Sequence, residues 1–462
     1  MKLYNIQMNA KNLPELDKTF VPMAAYNKSF LATAKKPVAI VIERNSGLKS
    51  VFETFIHGTP EMLKADEFYI ERMVKFLLWA KGGFKVSICG DNNMMEHIAF
   101  TYSTNGERAF DSKFMTRVYE NAFEFEGLPL EEKPEALENP KPLGRHLDGC
   151  RIGFDAGGSD RKVSAVIDGE SVFSEEVVWF PKTTADPEYH YQGILSAFKS
   201  AAEHMPRVDA IGVSSAGIYI NNRTMVASLF LKVPEDLFDE KVKDIYIRAA
   251  KELGDIPLEV ANDGDITALA GAMALEENGV LGIAMGTSEA AGYVDMDGNI
   301  TGWLNELAFA PVDGQPGAMQ DEWSGDIGCG VKYFSQDAVI KLAPAAGIEL
   351  PEDFSPAEKL KIVQKLMANK DERAEKIYSS IGVYLGHTLA YYSTIYEINH
   401  VLLLGRVVSG LGGDIILATA KKVLNEEYPE CRFEINLPDE KIRRVGQSVA
   451  AASLPNTASS LR

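Results

Sequence analysis

The chain has 462 residues and a mass of 50.7 kDa, more than one hydrophobic core ordinarily organises, so two or three domains are expected. Its composition, 46% hydrophobic and 24% charged, is that of an ordinary soluble globular protein; no apolar run is long enough to cross a bilayer and MKLYNIQMNAKNLPELDK lacks a secretory core, so a cytoplasmic location and no membrane partner are expected. The net charge of −19 repels polyanions and argues against general nucleic-acid binding, yet a small phosphate ligand meets local backbone dipoles rather than the global field.

In chain order, 37-PVAIVIER-44 and 84-FKVSICG-90 predict strands. Between them, 60-PEMLKADEFYIERMVKFLLWAKGG-83 carries apolar residues at helical spacing and ends in a glycine pair that suits a helix stop. Residues 1–145 are therefore expected to form an α+β domain for packing, for a lid or for oligomerisation. The Pro- and Glu-rich stretch 126-EGLPLEEKPEALENPKPLGRH-146 predicts an exposed linker after it. Residues 1–145 hold 19 basic and 19 acidic side chains, so the remaining 28 basic and 47 acidic ones carry the whole charge of −19.

Beyond Cys150 the pattern changes. Strand-like runs 152-IGFDA-156, 163-VSAVI-167, 208-VDAIGVSS-215, 257-PLEVAND-263, 280-VLGIAMGT-287 and 400-HVLLLGRV-407 alternate with helical windows at 192–205, 240–253 and 373–396. That alternation predicts an α/β fold with substantial parallel pairing. Several runs end in Gly, Ser or Asp, which collects polar groups at strand C-termini, where open α/β sheets bind ligands. Cys89, Cys150, Cys329 and Cys431 are far apart and predict small buried side chains rather than disulfides or a metal cluster.

Three segments carry chemistry. In 155-DAGGSDRK-162, Gly157 and Gly158 allow a sharp turn whose N–H groups can point at an anion; Ser159 adds a hydroxyl, Lys162 or Arg161 a positive charge, and Asp155 a carboxylate able to hold Mg²⁺ directly or through water. The competing reading is a plain β-hairpin turn. A second turn, 286-GTS-288, repeats the device with Gly286 and Thr287. Between them, in 258-LEVANDGDITALAGAMA-274, Asn262 and Asp263 end a strand and a small-residue helix begins. An aspartate there can accept a hydroxyl proton during phosphoryl transfer while Asn262 orients the acceptor; alternatively, Asp263 or Asp265 caps the helix and leaves the other free.

In order, residues 151–452 resemble the ROK family of sugar kinases, within the actin/hexokinase-type ATPase superfamily. The first turn is similar to its first phosphate motif, and VANDGDITALAG to the motif whose Asp is the catalytic base. The stretch 286-GTSEAAGYVDMDGNITGWLNELAF-309 resembles its second phosphate motif and sugar-binding signature, 325-GDIGCGVKYFS-335 the tail of its cysteine-rich motif, and 402-LLLGRVVSGLGG-413 its adenosine-side turn. The resemblance implies a two-lobed, ribonuclease H-like α/β fold with an added N-terminal α+β domain: 1–145, a first lobe 146–265 and a second lobe 266–462, whose last helix returns to the first. It further implies ATP and Mg²⁺, a sugar acceptor, Asp263 (or Asp265) as base, Asn262 and Glu306 as acceptor ligands, Gly405, Ser409 and Gly410 on the adenosine side, and a homodimer.

The departures are specific. Where the family holds zinc with one His and three Cys, this chain has Phe309, Glu322, Ser324 and Cys329, so no zinc is expected. Two acceptor contacts fall on Phe309 and Val331, which would leave buried sugar hydroxyls unpaired at about 1–3 kcal/mol each. Glu289, in a turn where the family is richer in Gly, reads as a solvated turn residue. A non-catalytic, sugar-responsive regulator of the same family is the alternative; Asp263 and the charge-neutral residues 1–145 weigh against it. An ATPase activator that reduces a partner enzyme would need cluster-binding cysteines, and no suitable pair is present.

Overall fold

The computed structural model describes residues 1–438 and 446–457. They form two compact units: Met1–Asn139 with Ile283–Ala291 and Gly302–Leu437, and Pro140–Gly282 with Gly292–Thr301 and the described residues from Pro438 on. The N-terminal segment thus shares a unit with much of the C-terminal half, and the chain passes to the other unit at Asn139/Pro140.

In the first unit, strands β1 (Lys36–Glu43), β2 (Lys49–Ile56), β3 (Lys85–Cys89) and β4 (Glu124–Leu128) form a sheet in the order β2-β1-β3-β4. β1 is antiparallel to both neighbours and β4 runs parallel to β3. The stretch expected as an exposed linker begins as strand: Glu126–Leu128 end β4, with Glu126 and Leu128 in register with Ser87 and Cys89, and the residues after them, 129–146, are exposed or partly exposed apart from Gly144. Further along it, Glu138 accepts from Arg44, Ser50 and the Trp303 indole.

Helix α1 (Leu63–Lys81) stops at Gly82, whose φ of 78° is in the left-handed region. From Tyr69 to Ala80 every residue of it is buried, including Glu71, Arg72 and Lys75. Buried charges require partners. Lys75 Nζ lies 2.8 Å from Asp111 and 3.1 Å from Asp326, Arg108 lies 2.7 Å from both Glu71 and Asp326, and Arg72 is paired with Glu71 and Asp326. Three cations and three anions therefore neutralise one another inside the core.

The second unit is built on β5 (Cys150–Ala156), β6 (Asp160–Ile167), β7 (Glu170–Val178), β8 (Ala210–Ser215) and β9 (Leu258–Asn262), in the order β9-β8-β5-β6-β7. β5–β6–β7 is an antiparallel meander, and β8 and β9 run parallel to β5. Its core contains Ile152, Phe154, Phe198, Val213, Phe230 and Tyr246, contributed by the sheet and by the segments after β7 and β8. Helix α2 (Asp263–Leu275) follows β9 directly, and α3 (Gln447–Ala452) lies across β5 and β8. Gly153 and Gly212, register partners on those strands, make this approach possible: a Cβ on Gly153 would come within 1.7 Å of the Ser448 carbonyl, and one on Gly212 within 1.7 Å of the Ala451 carbonyl.

A last sheet has the order β11-β10-β12-β13, from β10 (Val280–Met285), β11 (Glu289–Val294), β12 (His400–Leu404) and β13 (Glu434–Asn436). Among the described residues no helix is long and apolar enough to cross a membrane. Cys89, Cys150 and Cys329 are buried, as expected of small apolar side chains, whereas Cys431 is only partly buried.

Candidate active site

Three parallel strands of the second unit end side by side. Register pairs Asp155 with Ser214, Ala156 with Ser215, and Ser215 with Asn262. Asp155 is partly buried. Burial first, then the carboxyl of Asp263, push its pKa up to about 6, against the hydroxyl of Ser214, which favours ionisation. With its amide oriented to satisfy both neighbours, Gln447 donates to Asp155 at 3.0 and 3.3 Å and accepts from Thr267 Oγ1 at 2.6 Å. The C-terminal helix thus fixes a strand-end carboxylate, a role no sequence motif signalled.

Asp263 opens α2. Burial raises its pKa; its own hydrogen bond from the Gly264 N–H and the Lys182 ammonium act in the opposite sense. The helix cap is Asn262, whose Oδ1 accepts from Gly264 N at 2.7 Å. The expectation that Asp263 or Asp265 would occupy the cap position is therefore corrected: Asn262 already has the extended backbone of an N-cap, with ψ of 143°. Its amide also donates to the Gly217 carbonyl at 2.7 Å. Asp265 points inward, 6% exposed, and accepts from the Tyr293 N–H at 3.1 Å. The two aspartates are thereby separated into a strand-end carboxylate and a core hydrogen-bond acceptor.

Gly157, Gly158 and Ser159 form the tip of the β5–β6 hairpin. The Gly157 carbonyl accepts from the Trp179 indole at 2.8 Å, and Ser159 Oγ donates to Asp160 at 3.0 Å. Lys162 is the cross-strand partner of Asp155, with its ammonium 3.9 Å from Asp160 and 3.7 Å from Glu176. A second cation, missed in the sequence, stands closer to the glycines: a Cβ on Gly158 would lie 2.8 Å from Lys182 Cε. Lys182 sits in a short 3-10 turn, Pro181–Thr183, and nothing in WFPKTT marks it.

The other expected residues belong to the first unit. In the turn after β10, Gly286 N donates to Ser288 O at 2.9 Å and Thr287 is exposed. Gly405 follows β12 with φ of 93°, and a Cβ there would fall 2.3 Å from the Met285 carbonyl, so the turn after β12 and the end of β10 meet through that backbone. Ser409 donates to the Arg406 carbonyl and accepts from Gln364; Gly410, φ 70°, starts the helix Leu411–Glu427. Glu306 is partly exposed, on a segment whose Asn305 and Glu306 N–H groups donate to the Ala80 and Trp79 carbonyls. The expected residues therefore form two groups, Asp155 to Lys162 with Asn262 and Asp263 in one unit, and Gly286, Thr287, Glu306, Gly405, Ser409 and Gly410 in the other.

Glu289 is a correction. It is not a solvated turn residue but the first residue of β11, 4% exposed, with neither carboxyl oxygen hydrogen-bonded. At the four zinc-motif positions, Phe309 packs against Trp79 and Trp323, Glu322 accepts from Lys332, Ser324 donates to Asp321, and burial pushes the Cys329 thiol well up. That donor set does not fit a tetrahedral zinc ion.

A parallel β9-β8-β5 row extended by an antiparallel meander, with carboxylates at the strand ends, defines the actin/hexokinase-like, ribonuclease H-like α/β fold. Within it, the fold is that of the ROK-family sugar kinases. The ROK hexokinase from Thermus thermophilus is similar at a TM-score of 0.51 and 20% identity, over 66% of this chain and 96% of that one. A ROK family transcriptional regulator, homolog of the E. coli MLC protein, is similar at 0.50 and 17%, over 67% and 78%. A ROK glucokinase from Streptomyces griseus, in complex with glucose and AMPPNP, is similar at 0.49 and 20%, over 66% and 98%. No protein-family model and no curated protein matches the chain.

Proposed function

We propose that the protein is an ATP-dependent kinase for a hydroxyl of a sugar or sugar-like acceptor. The observation that carries this reading is the pair of neighbouring strand-end carboxyls, Asp155 and Asp263, each with a raised pKa, with Lys162 acting on the first and Lys182 on the second. Asp263 is the general base: it takes the acceptor hydroxyl proton as that oxygen bonds to the terminal phosphorus and ADP departs. Asn262 and Glu306 orient the acceptor. Gly157, Gly158, Ser159, Lys162, Gly286 and Thr287, with Lys182 added, are the phosphate ligands of this reading, and Gly405, Ser409 and Gly410 its adenosine ligands.

Asp155 fits a hard divalent cation, since a carboxylate fixed by Gln447 and repelled by a second carboxylate is stabilised by positive charge. A magnesium ion bound there would neutralise charge on the phosphates. The protein is expected to act in the cytoplasm, without nucleic acid, as a homodimer.

The test is a coupled ADP-release screen with Mg²⁺-ATP across hexoses, amino sugars and polyols. Turnover that vanishes in Asp263→Asn supports the assignment; silence across the panel with nucleotide binding intact turns the reading to a regulator. That second reading has one observation behind it, the loss of polar groups at Phe309 and Val331, which with Ala308 and Cys329 form an apolar cluster. Specific DNA retention at physiological salt would favour it.

A further inference from the structure

Glu289 has no place in the chemistry described above, and its surroundings are unusual for a carboxyl. Both oxygens are buried without a hydrogen-bond partner, which a native core rarely tolerates unless another group completes the site. Glycine at 330 makes the position possible: a Cβ there would come within 2.3 Å of Glu289 Oε2 and 2.4 Å of the Leu307 carbonyl. Burial first, and then the carboxyl of Glu306, hold Glu289 well above the ordinary carboxylate range. Glu306, the acid that acts on it, is itself partly exposed.

This acid pair borders the residues where neutral sugar contacts are missing. Gly330 precedes Val331, and Leu307 precedes the Ala308–Phe309 edge of the apolar cluster. A neutral hydroxyl brought to this place would serve one oxygen and leave Glu289 held in its neutral form beside a second acid. A cationic group satisfies the orphaned acceptors and favours the ionised form at the same time.

We propose that Glu289, with Glu306 beside it, selects an acceptor that carries a protonated primary amine, so that the substrate class is the amino sugar or amino polyol rather than the neutral hexose. This rests on the kinase reading for the identity of the reaction, but the amine site can be measured without it. When the ammonium docks, Glu289 ionises and its proton leaves to solvent.

The experiment is calorimetric binding of 2-amino-, 3-amino- and 6-amino-deoxyglucose beside glucose and N-acetylglucosamine, to the full chain with and without a non-hydrolysable ATP analogue. At least one amine should bind about tenfold or more tighter than glucose, as a charged hydrogen bond requires, and Glu289→Gln should abolish that preference. Glu289→Met, which removes the orphaned carboxyl, should melt no lower than the parent chain and also lose it. Amines that bind no better than glucose, or a preference that survives in Glu289→Gln, would overturn the proposal. ADP release from glucose without amine preference would sink this inference and leave the kinase; amine binding that needs Glu289 but gives no ADP would do the reverse.

Discussion

Asp263 and Asp265 stand two positions apart at the start of one helix and end in opposite environments. Asp263→Asn should lower kcat by about 10²–10⁴-fold with little change in the melting curve, because the hydrogen bonds of its side chain go to its own and the adjacent Gly264 N–H, which an Asn oxygen can also accept. Asp265→Ala should instead cost about 1–3 kcal/mol of stability by removing a buried acceptor of the Tyr293 N–H, read by urea unfolding. Asp155 makes a pH prediction. Its carboxyl titrates near 6 in the folded chain against an ordinary 3.8, so the folded state binds the proton more tightly than the unfolded one. Stability is therefore greatest below the ordinary value, falls as pH rises through this window and stays lower above it. Melting curves across the window should lose that decline in Asp155→Asn, while magnesium-dependent nucleotide binding disappears in the same variant.

At the scale of elements, the site depends on how closely a short C-terminal helix lies on the sheet. Gly212→Ala would put a methyl carbon within 1.7 Å of the Ala451 carbonyl, backbone that has no rotamer to yield. The expected cost is about 1–3 kcal/mol or more, with α3 displaced and Gln447 drawn away from Asp155. Calorimetry would read the first effect; a downward shift of the Asp155 titration, as that carboxyl becomes more solvated, would read the second. The strands themselves were legible before any coordinates: 152–156, 163–167, 208–215 and 257–263 all contain the observed β5, β6, β8 and β9 or lie within them. The helix at 60–83 was legible too, from its apolar spacing and its glycine stop. Its burial from Tyr69 to Ala80 was not, because Arg108, Asp111 and Asp326, which complete the pairing of Glu71, Arg72 and Lys75, lie on other segments.

At the scale of the whole molecule, the N-terminal 139 residues are structural partners of the C-terminal half. Asp326, 2% exposed, is paired with Arg72, Lys75 and Arg108, and these cations hold its carboxyl well below the usual range. Asp326→Asn leaves buried positive charge uncompensated and should destabilise by about 3–5 kcal/mol; because the depressed carboxyl stabilises only while ionised, the wild-type advantage should shrink as pH falls below the ordinary carboxylate value. Deleting residues 1–139 should leave an insoluble chain, since Trp79 would no longer cover Phe309 and the cluster around Asp326 would lose its cations. Expression and far-UV circular dichroism of the truncated chain would check this, and a soluble, folded 140–462 fragment would contradict it.

Local pattern alone determined the alternation of strands and helices, the glycine turns and the carboxylates at strand ends, because each depends on spacing within a few residues. Tertiary structure alone decided that Asn262 caps the helix, that Gln447 and Lys182 attend the first site, that Glu289 is buried and that ion pairs and aromatic rings occupy the zinc-motif region. The physical reason is that a charge or hydrogen bond is satisfied by whatever lies nearest in space. For Asp155 and Asp326 that neighbour is tens to hundreds of positions away along the chain, where no periodicity reaches.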